Sequence, residues 1–124
     1  MTDNKPPSLE LVCPAGTPAS LRAAAAAGAD TIYCGFANET NARNFPGLNF
    51  SIPEMEAAIG YAHGRGAKVY IAVNTYAQAG RERLWREAID AAAGLHADAV
   101  IVADIGLLDY AASTHPSLRR HLSV

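Results

Sequence analysis

The tripeptides Gly28-Ala-Asp30, Gly66-Ala-Lys68 and His96-Ala-Asp98 begin at residues 28, 66 and 96, intervals of 38 and 30. Each follows an apolar segment with helical spacing and precedes a short β-prone run. A chain that keeps returning to one helix-to-strand junction alternates strands with helices, and that alternation prescribes a parallel sheet with right-handed crossovers. The period fits a (β/α) barrel or a doubly wound sheet.

Local signals place the elements. Strands are expected over residues 9–13, 31–34, 68–73 and 99–103, with the start of a fifth at His121-Leu-Ser-Val124. Their continuous apolar runs suit strands covered on both faces. Thr17-Pro18 supplies an N-cap followed by Pro at N1, opening an alanine-rich helix to about Ala27. Ser51-Ile-Pro-Glu54 is a capping box, and the helix behind it places Met55, Ala58, Ile59 and Ala62 on one face. A third helix, about Glu82 to Leu95, should bury Leu84, Ala88, Ala91, Ala92 and Leu95, and Trp85 is expected to pack rather than to carry a cofactor. The last opens at Asp104-Ile-Gly and ends before Pro116. A complete eight-stranded barrel takes about 200 residues or more. The chain of 124 residues is therefore expected to form the N-terminal half of a TIM-type (β/α) barrel, an α/β fold of four βα units plus the start of a fifth strand. The barrel portion spans residues 9–124, and residues 1–8 (MTDNKPPS) read as a disordered leader. The inner barrel face is expected at Val12, Ile32, Ile71 and Val100, or at their immediate strand neighbours.

Composition excludes some partners. A net charge of −2 and a pI near 6.0 leave no electrostatic footprint for nucleic acid. The clusters at Arg81–Arg86 and Arg119-Arg120 read as solvated helix faces. No apolar run reaches the ~18 residues of a spanning helix and no signal peptide is read, so a soluble cytoplasmic protein is expected. Two cysteines, Cys13 and Cys34, agree with a reducing compartment and match no metal spacing. The four histidines are scattered and read as surface or capping residues.

Parallel α/β folds place their sites at the carboxyl ends of strands. Here those ends lead into Cys13-Pro14, Cys34-Gly35, Asn74-Thr75 and Asp104. Behind the second strand lies Asn38-Glu-Thr-Asn-Ala-Arg-Asn-Phe-Pro-Gly-Leu-Asn-Phe50, which holds four of the six asparagines. Arg43 offers a planar fork for a carboxylate or phosphate, or else an ion pair with Glu39. Asn41, Asn44 and Asn49 can meet a polar ring or satisfy their own loop through Asx turns. Asn74 can touch a ligand or brace a loop, and Asp104 can serve the rim or cap its helix. Binding is therefore assigned to Asn41, Arg43, Asn44, Asn49, Asn74 and Asp104. No catalytic residue and no metal ligand is assigned, and no phosphate loop or nucleophile elbow is present.

The segments Leu11-Val-Cys-Pro-Ala-Gly16 and Gly28-Ala-Asp-Thr-Ile-Tyr-Cys-Gly35 resemble the opening of the peptidase U32 family. Within it, Thr40-Asn-Ala-Arg-Asn-Phe-Pro-Gly-Leu-Asn-Phe50 is similar to the loop of the UbiU group. Val73-Asn-Thr75, Ala97-Asp-Ala-Val-Ile-Val-Ala-Asp104 and Leu108-Asp-Tyr-Ala-Ala112 continue the likeness over residues 9–124. The resemblance implies oxygen-independent hydroxylation of the aromatic ring of a prenylated ubiquinone precursor, together with a UbiV-like partner. It also implies a four-iron, four-sulfur cluster in the family. Neither Cys13 nor Cys34 matches the family's cluster cysteines, so no cluster is expected in this chain. Two alternatives stay open: a U32-type, collagenase-like peptidase portion, or a non-catalytic half-barrel that docks on a partner chain or associates with itself through open sheet edges.

Overall fold

The computed structural model describes residues 8–124, so the leader expected over residues 1–8 lies, but for Ser8, outside the described residues. In chain order the elements are β1 (Val12–Pro14), α1 (Pro18–Ala26), β2 (Thr31–Cys34), α2 (Ile52–Gly64) and β3 (Lys68–Val73). They continue with α3 (Glu82–Gly94), β4 (Ala99–Val102), α4 (Ile105–Thr114) and β5 (Arg119–Leu122). All four neighbouring pairs are parallel, in the order β1-β2-β3-β4-β5. That order decides between the two architectures left open by the period. A doubly wound sheet reverses its strand order at a switch point, whereas a barrel sheet runs on in sequence. This is an α/β fold with the strand order of a partial (β/α) barrel.

The repeated tripeptide is a structural device. Gly28, Gly66 and His96 have φ of 97°, 77° and 62°, in the left-handed region. The alanine after each donates its N–H to a carbonyl five residues back: Ala29 to Ala24 at 3.0 Å, Ala67 to Ala62 at 2.9 Å, Ala97 to Ala92 at 3.0 Å. These are the 6→1 bonds of a Schellman C-cap. The third residue then ties into the sheet. Asp30 and Asp98 donate N–H groups to the carbonyls of Leu11 and Val69, both at 2.9 Å. Their carboxylates accept the N–H of the same two residues, both at 2.7 Å. One motif thus ends a helix and registers the next strand.

Each of the three predicted N-caps forms. Thr17 and Ser51 head capping boxes with Ser20 and Glu54, and Asp104 accepts from Gly106 and Leu107. Such caps each contribute about 1 kcal/mol. On α2 the buried residues are the four expected. On α3 the buried set is Trp85, Ala88, Ile89 and Ala92, while Leu84, Ala91 and Leu95 are only partly buried. The stripe is rotated because Trp85, with no exposed surface, takes the central place. β1 begins later than expected, since Leu9 and Leu11 are exposed. β5 begins two residues earlier than His121, and its Arg-Arg-His-Leu sequence lacks the apolar run of the others.

The two faces of the sheet are unlike. Ile32, Cys34, Val69, Ile71, Val73, Val100 and Val102 are buried with the helices in the core. The register puts Val12, Tyr33, Tyr70, Ala72, Ile101 and His121 on the other, concave face. Of the four positions expected on the inner face, only Val12 is there; Ile32, Ile71 and Val100 face the helices, and their strand neighbours line the concavity. On that face Tyr70 and His121 stack with ring centroids 4.9 Å apart. The register pairs Tyr70 with Ala99 of β4 and His121 with Ile101, so the two rings meet diagonally across β4, over the short Ala99. Among the described residues no helix is long and apolar enough to cross a membrane.

Candidate functional site

The asparagine-rich segment is a closed excursion from the carboxyl end of β2. Phe36 and Phe50, both buried, pair in an isolated bridge, and Ala37 donates its N–H to the Phe50 carbonyl at 2.9 Å. With its ends pinned by two phenyl rings, the loop packs upon itself as an Ω-type loop does. Asn38 Oδ1 accepts from both the N–H and the hydroxyl of buried Thr40, at 3.0 and 2.6 Å. Asn41 is buried, donates to the Phe36 carbonyl at 3.4 Å and accepts the Arg43 N–H at 3.0 Å. Asn49, in the left-handed region at φ 73°, donates to the Arg43 carbonyl at 2.7 Å. Asn74, at the end of β3, accepts the Ala42 N–H at 2.9 Å.

Beneath the loop lies a cavity of about 480 Å³, a volume usual for small-molecule sites. Its walls combine Tyr33, Ala72 and Ile101 of the concave face with Phe45 and Leu48 of the loop. Asn41, Arg43, Asn49 and Asn74 bring the polar groups. Four of the six predicted binding residues therefore share one cavity. Asn44 is exposed on the loop and does not line it. Asp104 lies elsewhere: it caps α4 and accepts the Ala77 N–H at 3.0 Å, which satisfies both carboxylate oxygens. Tyr33, Phe45, Leu48, Ala72 and Ile101 carried no sequence signal of their own. Once Ile32 is known to face the helices, strand alternation turns Tyr33 the other way, but a continuous apolar run hides that parity.

Arg43 does not pair with Glu39. Glu39 instead meets Arg81 at 3.2 Å, and its own backbone N–H, then Arg81, hold its carboxyl below the usual range. Arg81 is thereby a second cation at the rim. Among the described residues Arg43 is left as the only charged one lining the cavity. Cys34, also on the cavity wall, is buried and its thiol is pushed up to about 12 by that burial, so it stays protonated. Cys13 and Cys34 are free thiols. Two of the histidines make pairs that sequence spacing did not show. His63 meets Asp98 and His115 meets Asp90, both at 2.7 Å, and Asp90 also accepts from Tyr110. Both pairs lie outside the cavity.

A sequence profile described as Peptidase family U32 matches residues 16–124. The chain is 35% identical over 115 residues to a protein of Helicobacter pylori named tRNA hydroxylation protein P, covering 93% of this chain and 27% of that one. It is 37% identical over 116 residues to an uncharacterized protease of Methanocaldococcus jannaschii, covering 94% and 28%. The chain thus spans about a quarter of the length of these curated relatives. Among solved structures it is similar to DHDPS from Cyanidioschyzon merolae, with a TM-score of 0.58 at 15% identity, covering 91% of this chain and 45% of the other. That likeness is one of fold, with a barrel enzyme.

Proposed function

The chain belongs to peptidase family U32, and from that premise we propose that it forms the substrate-side portion of an oxygen-independent hydroxylation protein of the UbiU kind. On this reading it acts with a UbiV-like partner on the aromatic ring of a prenylated ubiquinone precursor. The observation that carries the reading is the cavity itself. Tyr33, Ala72, Ile101, Phe45 and Leu48 offer apolar and aromatic surface to a flat ring, with asparagines and one arginine at its edge. Phe45 and Leu48 are 57 % and 41 % exposed, so an occupant or a docked partner gains apolar burial there at roughly 25 cal/mol per Å². The chain's own residues bind and orient, and exclude water from the ring.

The family's iron–sulfur cluster needs about four thiolates. This chain has two cysteines. Cys34 is kept protonated by burial and its Sγ lies 3.6 Å from Met55 Sδ among core residues, so these residues do not fit the cluster. The cluster-bearing part of such a protein is proposed to come from outside these residues.

Two other readings follow from the relatives. Hydrolysis of a peptide would need an activated nucleophile at the cavity, and a thiol held near 12 is a poor one. Action on tRNA is favoured by the name of the Helicobacter relative, while a net charge of −2 weighs against a polyanion docking on this portion. Deletion cells grown without oxygen and complemented with the full-length protein separate all three. Restored ubiquinone supports the proposal. Restored hydroxylated tRNA nucleosides with unchanged ubiquinone, or rescue by neither, would overturn it.

A further inference from the structure

The backbone of Arg43 is held from both sides. Its N–H donates to Asn41 Oδ1 at 3.0 Å, and its carbonyl accepts from Asn49 Nδ2 at 2.7 Å. The preceding residue is held as well, since the Ala42 N–H donates to Asn74 Oδ1 at 2.9 Å. Side chains from the loop and from the end of β3 thus fix two consecutive residues. The grips are themselves braced. Asn41 packs against Gly35, and the Asn49 N–H donates to the Gly16 carbonyl beside β1. Among the described residues the Arg43 guanidinium makes no ion pair, since the nearby Glu39 is taken by Arg81. A loop that merely turned the chain would not hold two consecutive exposed residues by three amides and leave the Arg43 side chain as the only charge that the described residues bring to an apolar cavity.

We propose that the cavity takes a flat, largely apolar ligand bearing one anionic group, a carboxylate or a phosphate ester, and that Arg43 reads that group. Asn41, Asn49 and Asn74 are positioning residues that act through Arg43. A guanidinium meets either anion with two parallel N–H donors. Holding its backbone in advance lowers the ordering cost of the bound state. The inference rests on the reading of this cavity as the substrate site.

The test is calorimetric titration of the full-length protein with benzoate, phenyl phosphate and neutral benzamide. The wild type is expected to bind at least one anionic probe about tenfold more tightly than benzamide, and the better of the two identifies the group. Arg43→Met should bring the anionic probes down to the level of benzamide while leaving the circular dichroism spectrum unchanged. Arg43→Lys should keep part of the preference. Asn74→Ala should lower it several-fold, read as the ratio of anionic-probe to benzamide affinity. Equal binding of all three probes by the wild type would overturn the anion assignment, as would a preference that survives Arg43→Met. An undiminished preference in Asn74→Ala would overturn the positioning role. Anion preference without rescue of ubiquinone would count against the hydroxylation reading alone, and rescue without anion preference against this inference alone.

Discussion

A single methyl group added at Gly35 probes how the loop is seated. A Cβ there would lie 2.5 Å from Asn41 Nδ2, 2.7 Å from its Cγ and 3.2 Å from its Cβ. Asn41 is only 7% exposed, so its amide can yield only by leaving the Phe36 carbonyl and the Arg43 N–H. Overpacking of this kind costs about 1–3 kcal/mol, and each broken hydrogen bond about 0.5–1.5 kcal/mol. The two costs overlap, because an amide that leaves also relieves the crowding, and Gly35→Ala is expected to destabilise by about 2–3 kcal/mol. Asn41→Ala alone should lose about 1–3 kcal/mol through the groups it leaves unpaired. In that background the added methyl meets only the Cβ of residue 41, and its further cost should fall below about 1 kcal/mol. The double-mutant cycle should therefore return a coupling of about 1–2 kcal/mol. Urea unfolding followed by fluorescence reads it directly, since Trp85 is the single tryptophan and fully buried. A Gly35→Ala loss that is equal in both backgrounds, or no loss at all, would refute the close seating of Asn41.

Three further outcomes are expected. Because burial raises the Cys34 thiol from 9.0 to about 12, the folded state keeps a proton that the unfolded state releases; the associated stability is complete below pH 9 and falls by about 1.4 kcal/mol per pH unit above it toward 12. Stability measured at pH 8 and 10 should show this fall in the wild type and lose that part of it in Cys34→Ala. The Trp85 indole N–H donates to Thr75 Oγ1 at 3.0 Å, and that hydroxyl donates to the Glu39 carbonyl at 2.6 Å; Thr75→Val should cost about 1–3 kcal/mol by urea unfolding, and Thr75→Ser under about 1. Among the described residues one edge of β1 and one of β5 are unpaired, with Val12 and Leu122 exposed, and open edges template association. Light scattering should find dimers or larger species, and a monodisperse 13.0 kDa particle with a cooperative melt would show the sheet to be self-sufficient.

The parts of this fold that were legible in the sequence are those governed by a few neighbouring residues. A hydroxyl or carboxylate at an N-cap reaches amides two or three residues on, and so Thr17, Ser51 and Asp104 announced three helices. A glycine in the left-handed region ends a helix within one turn, and so Gly28 and Gly66 announced the junctions; His96 was found only because it repeated them. Strand direction followed from the alternation of elements. The ion pair of Glu39, by contrast, lay beyond local reasoning. Glu39 is four residues from Arg43 in sequence, yet it meets Arg81, 42 residues distant.

The amino-acid sequence alone determined the succession of helices and parallel strands, and the crowding of amides on one rim, because backbone hydrogen bonding and chain entropy act over a turn or two. Only the tertiary structure decided which face of each strand meets the helices. Tyr33 and Ile32 are both β-formers in an unbroken apolar run, and nothing short of the packed helices sends one into the core and the other to the cavity. The asparagines are alike in the same way. Each amide can serve a ligand or a backbone, and it was the closure of the loop at Phe36 and Phe50 that set Asn41 and Asn49 around Arg43, put Asn74 beside them, and left Asn44 in solvent.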